Sequence, residues 1–355
     1  MKIENIEIQD AETTKVVFLY REIMPYNIPV IIELVKLNAE ILFVHDDVKK
    51  LTPYVPPILD GVEYFKKSDL NQRSLELLVH GFNPDIIYIS DRTIAMYNKI
   101  GIVYNGKIPV ISGNDTPWYG GKQWLNVVTS WFRHKRFFSH MLVAGIRQFE
   151  YAKKLGFAND KIIWPMYSAD VKTFKQIPLG ISRFEEAKDI LFVGRFNKVK
   201  GINYLLDGWR QIENKNGAKL HLVGNGTYLD KLELPNDIVI HTFSNQEYLA
   251  ELAFKCKAFI LPSIFEPWGV VVHEFAAAGM PLIISDVCGA SPHFLKNNYN
   301  GFSIKAHSSS DVQAALSKIF SLNPKQLSEM GKKSRELSQS ISPKLVAAAI
   351  LSTQK

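Results

Sequence analysis

Residues 263–281 constrain the fold of this chain more than any other segment. They read SIFEPWGVVVHEFAAAGMP and lie between two short apolar runs, 258–261 (AFIL) and 282–285 (LIIS), which predict β-strands. Residues 269–278 predict a helix, because Gly279 and the proline that soon follows it are typical of a helix C-terminus. A strand, a loop, a helix and a second strand in this order indicate an α/β fold with a parallel sheet.

This segment carries two carboxylates that a ligand can use. Glu266 precedes the predicted helix, and Glu274 lies more than one turn inside it. The N-terminus of a helix has unpaired N–H groups and the positive end of the helix dipole, which favour an anion. A phosphate site beside two carboxylates that accept hydroxyl hydrogen bonds suits a sugar joined to a nucleoside diphosphate. The alternative is a pair of solvated glutamates with no joint role.

A second segment, 189–207, places a basic turn between a predicted strand and a predicted helix. It reads DILFVGRFNKVKGINYLLD, in which Gly194 ends the apolar run and a later glycine precedes apolar residues at helical spacing. Arg195 and Lys200 lie in the turn. A guanidinium binds phosphate through two parallel hydrogen bonds and an ammonium binds it as a point charge, so this pair suits a diphosphate. A solvated basic turn is the alternative.

Both segments resemble the signature of the retaining GT-B-fold glycosyltransferases called glycosyltransferase family 4. The matching pattern in the first segment is S-x-x-E-P-x-G-x-x-x-x-E-x-x-A-x-G-x-P, and LVGNG at 222–226 matches the family's next strand and turn. Residues 139–174 resemble the last part of the family's N-terminal domain, so the resemblance covers 139–301. It implies an α/β GT-B fold, in which two Rossmann-like domains with parallel sheets face each other across a cleft.

The resemblance implies an enzyme that moves a sugar from a nucleotide-diphosphate sugar to an acceptor hydroxyl, keeping the anomeric configuration, in polysaccharide or glycolipid biosynthesis. The donor would carry UDP, GDP or another nucleoside diphosphate, and the reaction would need neither a metal nor a cofactor. Arg195 and Lys200 would stabilise the leaving diphosphate, Glu266 would contact the sugar hydroxyls and Glu274 the ribose. The other implied donor contacts are Gly194, Thr242, Phe243, Trp268, Gly269, Val270 and Val271.

Three positions depart from the family's pattern. The family's glycine-rich N-terminal turn is replaced by REIMPYNIPV, in which Asn27 is the candidate substitute or else a helix N-cap. Where the family often has a histidine facing the sugar, this chain has Asn114 and Asp115. Asp115 orients the acceptor or the sugar, or it caps a turn. His293 stands within a later family motif and is either structural or a substrate contact.

Three other functional classes remain open at the level of sequence. A GT-B-fold sugar-nucleotide epimerase would share the fold and the phosphate site. A catalytically inactive sugar-nucleotide-binding homologue is favoured by the missing glycine turn. A glycogen-type phosphorylase would need a lysine-bound pyridoxal phosphate and a much longer chain.

The length of 355 residues and the 46% hydrophobic content suffice for two buried cores. We expect an N-terminal acceptor-side domain (1–172), a C-terminal nucleotide-sugar-binding domain (173–340) and a C-terminal helix (341–355) that packs back on the first domain. The segment 166–188 lacks clear periodicity and is the predicted connection. The predicted strands are 16–20, 41–44, 86–89, 110–112, 141–144 and 162–164 in the first half, and 190–193, 220–223, 239–242, 258–261 and 282–285 in the second.

The formal net charge of +7 suits an anionic substrate, nucleic acid or an anionic membrane. Bases are concentrated between positions 99 and 175, where 131–138 (WFRHKRFF) mixes them with aromatic residues as membrane-interface segments do. We expect this segment to hold a lipid-linked or otherwise anionic acceptor near a membrane. The alternative is an amphipathic helix with a buried aromatic face and a solvated basic face. No recognised nucleic-acid-binding module accompanies the charge, so no nucleic-acid partner is expected.

The cysteine content and the N-terminal residues indicate the cellular compartment in which the protein is expected. Cys256 and Cys288 are too few for a disulfide framework and lie in apolar contexts, which indicates buried thiols in a reducing compartment. The first residues, MKIENIEIQD, do not resemble a signal peptide, and no apolar run has the length of a transmembrane helix. We therefore expect a cytoplasmic protein, with peripheral contact to the cytoplasmic membrane face as a further expectation.

Overall fold

The computed structural model describes residues 13–46, 54–242 and 244–354. The chain divides into two compact units, one comprising Met1–Tyr167 with Pro343–Lys355 and the other Ser168–Ser342. The division lies after Tyr167, whereas the sequence predicts it after residue 172. The chain returns to the first unit at Pro343.

The first unit is built on a parallel sheet of seven described strands in the spatial order β3, β2, β1, β4, β5, β6, β7. The strands are β1 (Thr14–Tyr20), β2 (Ala39–His45), β3 (Val62–Lys66), β4 (Ile86–Ile89), β5 (Val110–Asn114), β6 (His140–Val143) and β7 (Ile162–Ile163). The helices are α1 (Asn27–Lys36), α2 (Gln72–Phe82), α3 (Ala95–Tyr104), α4 (Gln123–Val128) and α5 (Ile146–Lys154), with a π-helical turn (Trp131–Lys135) after α4.

The central strands β1 and β4 carry continuous apolar, buried runs. Val17 and Leu19 of β1 share one buried cluster with Ile87 and Ile89 of β4 and with Leu75 of α2. Strands of parallel sheets have continuous apolar runs because both faces of the sheet are covered. The strand order reverses between β1 and β4, and ligands of such sheets bind at the carboxyl ends of the strands next to a reversal.

The second unit has six described parallel strands in the order β10, β9, β8, β11, β12, β13. They are β8 (Asp189–Val193), β9 (Leu220–Val223), β10 (Ile238–His241), β11 (Cys256–Leu261), β12 (Leu282–Ser285) and β13 (Gly301–Ile304). Its helices are α6 (Val171–Lys175), α7 (Ile181–Glu186), α8 (Ile202–Arg210), α9 (Gln246–Lys255), α10 (Val270–Ala277), α11 (Ser291–Phe294), α12 (Ser309–Ser321) and α13 (Pro324–Ser338). The order reverses between β8 and β11, so the carboxyl ends of these two strands are the expected ligand side.

The predicted α/β fold with two parallel sheets is confirmed, and every predicted strand is present within one or two residues of its expected bounds. The sequence patterns miss β3 and β13, which both lie at the edge of a sheet. No side chain of β3 is buried, and it carries Glu63 and Lys66. An edge strand has one neighbour and does not need the apolar run by which the central strands are recognised.

The segment 166–188, predicted as the connection, contains the division between the two units and two short helices, α6 and α7, that the sequence pattern does not show. Arg183 of α7 is buried at 2% exposure, and its guanidinium donates to the carbonyl oxygens of Ala253 (2.8 Å) and Ala278 (3.0 Å) at the ends of α9 and α10. Burial, together with the positive charge of Arg335, lowers the pKa of Arg183 to about 10. Arg183 thus donates to carbonyl oxygens near the C-terminal ends of two helices, where few backbone donors are available; that of Ala253 also accepts from the amide of Cys256.

A last helix, α14 (Pro343–Leu351), packs against α1 in the first unit. Beyond it, Gln354 accepts a hydrogen bond from the hydroxyl of Thr14 at the start of β1 (3.2 Å). None of the helices in the described ranges is long and apolar enough to cross a membrane.

We expect Arg183→Met to lower the free energy of unfolding by about 3 kcal/mol, because it removes a buried guanidinium that donates to carbonyl oxygens at the ends of two helices. Urea denaturation followed by fluorescence measures the change. Lys325→Met, which removes an exposed cation of α13, is the control and should change it by less than about 0.5 kcal/mol. A loss of the control's size in Arg183→Met would contradict the capping role.

Candidate functional site

The two motifs singled out in the sequence come together in the second unit, at the neighbouring carboxyl ends of β8 and β11. The amide of Ile264 donates to the carbonyl oxygen of Val199 (2.8 Å), which links the loop after β11 to the basic turn after β8. Gly201 has φ +67°, and a Cβ there would overlap the carbonyl oxygen of Pro262. Only glycine permits this approach, so the two loops form one surface.

A largely buried ion pair joins the loops. Lys200 Nζ contacts Glu266 Oε2, and the Ser263 hydroxyl donates to the same carboxylate oxygen (3.2 Å). Arg195 is exposed and forms no ion pair with any described residue, so its guanidinium is available to an anion. Gly194 lies directly against the Lys200 side chain, where a Cβ would be 3.5 Å from Lys200 Cε.

Gly269 positions the first turn of α10 beside this pair. It has φ +94°, and a Cβ there would be 3.2 Å from both Cys288 Sγ and Glu266 Cγ. No side chain in the described residues caps the helix N-terminus, which leaves the first-turn amides at Val270 and Val271 facing the loop. These amides and the helix dipole make this end of α10 suitable for an oxyanion.

Trp268, a predicted donor contact, has a buried ring rather than an exposed one. It is 3% exposed, and its ring packs on His293 (5.3 Å between centroids) and on Phe294 (6.3 Å). Its carbonyl oxygen accepts from the amide of Ala290 (2.9 Å) and from the Cys288 thiol (3.0 Å). Trp268 and His293 therefore support the loop from behind. Burial lowers the pKa of His293 and favours its neutral form.

Glu274 lies in the middle of α10 and is 6% exposed. The Gln246 amide, in the first turn of α9, donates to its carboxylate (3.1 Å). Burial, and to a lesser extent the negative charge of Asp170, raises the pKa of Glu274 to about 7. The carboxyl group therefore changes its charge near neutral pH, where small changes in its surroundings decide whether it is ionised.

The loop after β10 holds the predicted base contacts. Thr242 is exposed, and its carbonyl oxygen accepts from the Ser244 hydroxyl (2.9 Å); Phe243 lies outside the described residues. Asn245 caps α9 by accepting from the amide of Tyr248 (3.0 Å). An open pocket here is lined by Ile240, His241, Thr242, Ser244, Asn245 and Tyr248.

A chain of polar side chains, which the sequence patterns do not reveal, runs across the sheet to this pocket. His221 lies between Asp189 (2.9 Å) and His241 (2.8 Å), and His241 also bonds the Tyr248 hydroxyl (3.0 Å). Because the Asp189 carboxylate can only accept, it determines the direction of every hydrogen bond in this chain when both rings are neutral. His221 then donates to Asp189, His241 donates to His221, and the Tyr248 hydroxyl donates to His241. Burial alone would raise the pKa of Asp189, but hydrogen bonds from His221 and the Lys219 amide lower it.

Another buried histidine, His273 of α10, has a structural role. Its Nδ1 accepts from the amide of Ala169 (3.0 Å), and its Nε2–H donates to the carbonyl oxygen of Ser338 (2.9 Å). Burial lowers its pKa to about 4, so the ring is neutral and links α10 to α13 and to the residues before α6.

In the first unit, the predicted Asp115 follows directly after β5. Its carboxylate accepts a long hydrogen bond from the Tyr167 hydroxyl (3.4 Å), and its carbonyl oxygen accepts from the Gln148 amide (2.9 Å). The preceding Asn114 is 2% exposed, and neither atom of its side-chain amide has a hydrogen-bond partner among the described residues. An amide so buried is costly unless a ligand or water pairs it.

Asn27 is the first residue of α1 rather than its N-cap, which is Tyr26. Its side-chain oxygen accepts from the amide of Met24 (2.8 Å), and its side-chain nitrogen is 3.5 Å from the Tyr20 hydroxyl. The N-cap interpretation is therefore wrong. Asn27 closes the turn that replaces the family's glycines.

Comparison with known proteins finds a family model that matches part of the chain. Residues 175–337 match the model of Glycosyl transferases group 1. An uncharacterized glycosyltransferase of Methanocaldococcus jannaschii is 31% identical over 144 residues, which are 39% of this chain and only 37% of that protein. The resemblance to family 4 in particular stays a prediction.

Solved structures resemble nearly the whole chain. A glycosyltransferase from Rickettsia africae has a TM-score of 0.75 at 13% identity and covers 97% of this chain and 98% of its own. Anabaena HepE, in complex with UDP-glucose, has a TM-score of 0.71 at 17% identity, with 96% and 98% covered. At this identity the likeness concerns the fold. The protein therefore has the GT-B fold, and residues 175–337 of its second unit are similar to the glycosyl transferases group 1 family.

Proposed function

We propose that this protein is a metal-independent, retaining glycosyltransferase that moves a sugar from a nucleoside-diphosphate sugar to an acceptor hydroxyl in polysaccharide or glycolipid biosynthesis. The observation that carries the proposal is the arrangement of Arg195, the Lys200–Glu266 pair and the uncapped start of α10 on one surface. It offers positive charge for a diphosphate and a carboxylate for a sugar within the same loop pair. The UDP-glucose bound in the HepE structure is a donor of this class.

The diphosphate binds at the basic turn in this proposal. Arg195 is exposed and offers a planar donor, while Lys200 is held next to it in the same turn by its contact with Glu266. Gly194, which has no side chain, lets the phosphates approach the backbone. Together the two cations stabilise charge that grows on the leaving group in the transition state.

The sugar binds between Glu266 and the first turn of α10. The carboxylate of Glu266 accepts from sugar hydroxyls and stabilises the positive charge that develops at the anomeric carbon. The amides at Gly269, Val270 and Val271 donate to sugar or phosphate oxygens. The donor C1–O bond breaks and a bond from C1 to the acceptor oxygen forms on the same face, while the acceptor proton passes to the leaving diphosphate oxygen.

The nucleoside binds across α10 and the loop after β10. Glu274 accepts hydrogen bonds from the ribose hydroxyls, and Gln246 holds its carboxylate in place (3.1 Å). The backbone around Thr242 and Phe243 reads the base. The acceptor is assigned to the first unit, where Asp115 and the buried Asn114 offer hydrogen-bonding groups at the carboxyl end of β5. The reaction takes place in the cytoplasm.

Two alternatives remain distinguishable: an inactive sugar-nucleotide-binding homologue and a GT-B-fold epimerase. A thermal-shift screen across UDP, GDP and ADP sugars identifies the donor, since a bound donor raises the Tm by mass action. Incubation with that donor then separates the classes. Slow release of the free sugar and nucleoside diphosphate supports the transferase, an isomerised nucleotide sugar indicates the epimerase, and binding without turnover indicates the inactive homologue.

We expect Arg195→Ala to reduce turnover by about two to three orders of magnitude, because it removes one stabiliser of transition-state charge. Thermal unfolding should be unchanged, since the side chain is exposed. Arg210→Ala, which removes another exposed guanidinium of the same unit, serves as the control and should retain nearly full turnover. Turnover of Arg195→Ala at the control's level would rule out the diphosphate role.

Glu274→Ala and Glu266→Ala should separate nucleoside binding from sugar chemistry. Loss of a hydrogen bond to a charged group, about 1.5–3 kcal/mol, should weaken both the free nucleoside diphosphate and the donor in Glu274→Ala. Glu266→Ala should impair reaction of the donor far more than binding of the nucleoside diphosphate. Calorimetry and donor hydrolysis measure the two effects, and equal losses of nucleoside diphosphate affinity in both variants would refute the assignment.

Donor affinity should rise with pH through the pKa of Glu274, about 7. The ionised carboxylate is the better acceptor for ribose hydroxyls, so the protonated form that prevails at lower pH binds weakly. If only the ionised form binds, affinity at pH 6 is about tenfold below its plateau. The intact nucleotide sugar is the right probe, because its diphosphate does not titrate in this range. In Glu274→Gln, donor affinity should not change with pH over this range. If affinity still rises with pH as in the parent protein, a group other than Glu274 is responsible.

A further inference from the structure

We propose that the first unit docks on an anionic lipid surface through an exposed helical face within residues 122–136. The inference rests on exposure, packing and charge in this segment. It depends on the function proposed above only in that a membrane-docked transferase would take a lipid-linked acceptor.

The inner side of this segment is fixed to the unit. Val127 of α4 packs against the buried core, and the Ser130 hydroxyl donates to the carbonyl oxygen of Leu155 (2.6 Å). His134 is buried, and its Nδ1 lies 2.9 Å from the Arg92 guanidinium. Burial and the charge of Arg92 lower the pKa of His134 to about 3, so the ring is neutral. These contacts determine which face of the helical segment points outward.

The outward face is apolar. It is formed by Trp124 (55% exposed), Leu125 (61%), Val128 (80%), Trp131 (63%) and Phe132 (68%). Trp124, Leu125 and Val128 lie at helical spacing on α4, and Trp131 and Phe132 follow in the π-helical turn, so the exposed apolar side chains form one group rather than scattered positions. A group of this kind on a water-exposed helix marks an interaction surface. Trp and Phe beside Leu are the composition of helices that lie in a membrane interface.

Cations border this apolar group, and acidic residues are missing from this stretch of sequence. Between Asp115 and Glu150 the chain contains no aspartate or glutamate. Lys135 lies over the Trp131 ring (5.6 Å), and Lys154 of α5 lies over the Trp124 ring (5.6 Å). We call the following set the aromatic–basic surface: Trp124, Leu125, Val128, Trp131 and Phe132 with the exposed bases Lys122, Arg133, Lys135 and Arg136.

Only the first part of segment 131–138, which the sequence predicts as the membrane contact, has exposed aromatic side chains in the structure. Trp131 and Phe132 are exposed, but Phe138 is buried at 2% exposure and Phe137 packs against the core. Three residues of α4, which the sequence pattern does not include, complete the exposed apolar group on the N-terminal side.

The charge of the aromatic–basic surface decides between its candidate occupants. A symmetric contact with a second copy of this chain would place the same cations opposite one another. Like charges within a few ångströms oppose such a contact. An anionic lipid surface instead attracts the bases and accepts the apolar side chains.

Flotation with vesicles tests the proposal. At low salt the protein should bind vesicles of phosphatidylcholine mixed with phosphatidylglycerol, bind those of phosphatidylcholine alone much more weakly, and be released by salt. Tryptophan emission should shift to shorter wavelength on binding, because Trp124 and Trp131 enter the interface. Failure to bind the anionic vesicles at low salt would overturn the proposal.

Two variants separate the contributions of charge and insertion. Replacing Arg133, Lys135 and Arg136 with Ser should weaken partitioning onto anionic vesicles by roughly 100-fold. Trp131→Ser with Phe132→Ser should weaken it by about tenfold or more and reduce the emission shift. The control replaces Lys318, Lys325 and Lys332, exposed bases of the second unit, with Ser. It makes the same change in net charge and should keep most of the binding.

Two further results would overturn the proposal. One is a loss of vesicle binding in the control as large as in the Arg133, Lys135 and Arg136 variant. The other is a dimer in solution that the Trp131 and Phe132 substitutions dissociate. Calorimetry with the donor identified by thermal shift checks that each variant is folded, since its donor affinity should equal that of the parent protein. Vesicle binding without any donor binding in the parent protein would refute the proposed function and leave the docking surface standing.

Discussion

The buried contact between Lys200 and Glu266 is the interaction on which the candidate site depends. It joins a loop that follows β8 to one that follows β11, and the hydrogen bond from Ile264 to Val199 runs beside it. A buried ion pair is costly to break from one side, because the remaining charge has no partner. Substrate oxygens that bond to Lys200 or substrate hydroxyls that bond to Glu266 would give the separated charge a new partner and avoid this cost. The pair therefore holds the site in shape and marks where sugar and phosphate are expected to bind.

Helix α10 connects this pair to the remainder of the second unit. Its first turn faces the loop of Glu266, Glu274 lies on its buried face, and His273 and Arg183 fix its middle and its C-terminal end. Each of these polar side chains has a specific partner, as buried polar groups require. A helix held at so many points loses little entropy when a ligand binds at its N-terminus, which is the benefit of a preorganised site.

Central strands and local motifs could be predicted from the sequence because their signals lie within a few consecutive residues. Strand β9 and helix α10, which ends just before Gly279, belong to this class. The Asp189–His221–His241 chain could not be predicted, since its members come from three strands and meet only through the sheet register. The same holds for Arg183, whose partners lie 70 and 95 residues away. Trp268 stands in a recognisable motif, but only packing reveals that its ring faces inward.

The turn before α1 shows how a departure from the family's pattern changes the chemistry available. The side-chain oxygen of Asn27 accepts a hydrogen bond from the amide of Met24, and the backbone amide of Asn27 donates to the carbonyl oxygen of Met24 (2.9 Å). A glycine turn leaves its amides free for a phosphate, whereas this turn uses them internally. In the proposed function the diphosphate therefore binds to Arg195 and Lys200 of the second unit. In the proposed function the acceptor is assigned to Asp115 and Asn114 of the first unit, because they lie at the carboxyl end of β5 and neither atom of the Asn114 side-chain amide has a hydrogen-bond partner among the described residues.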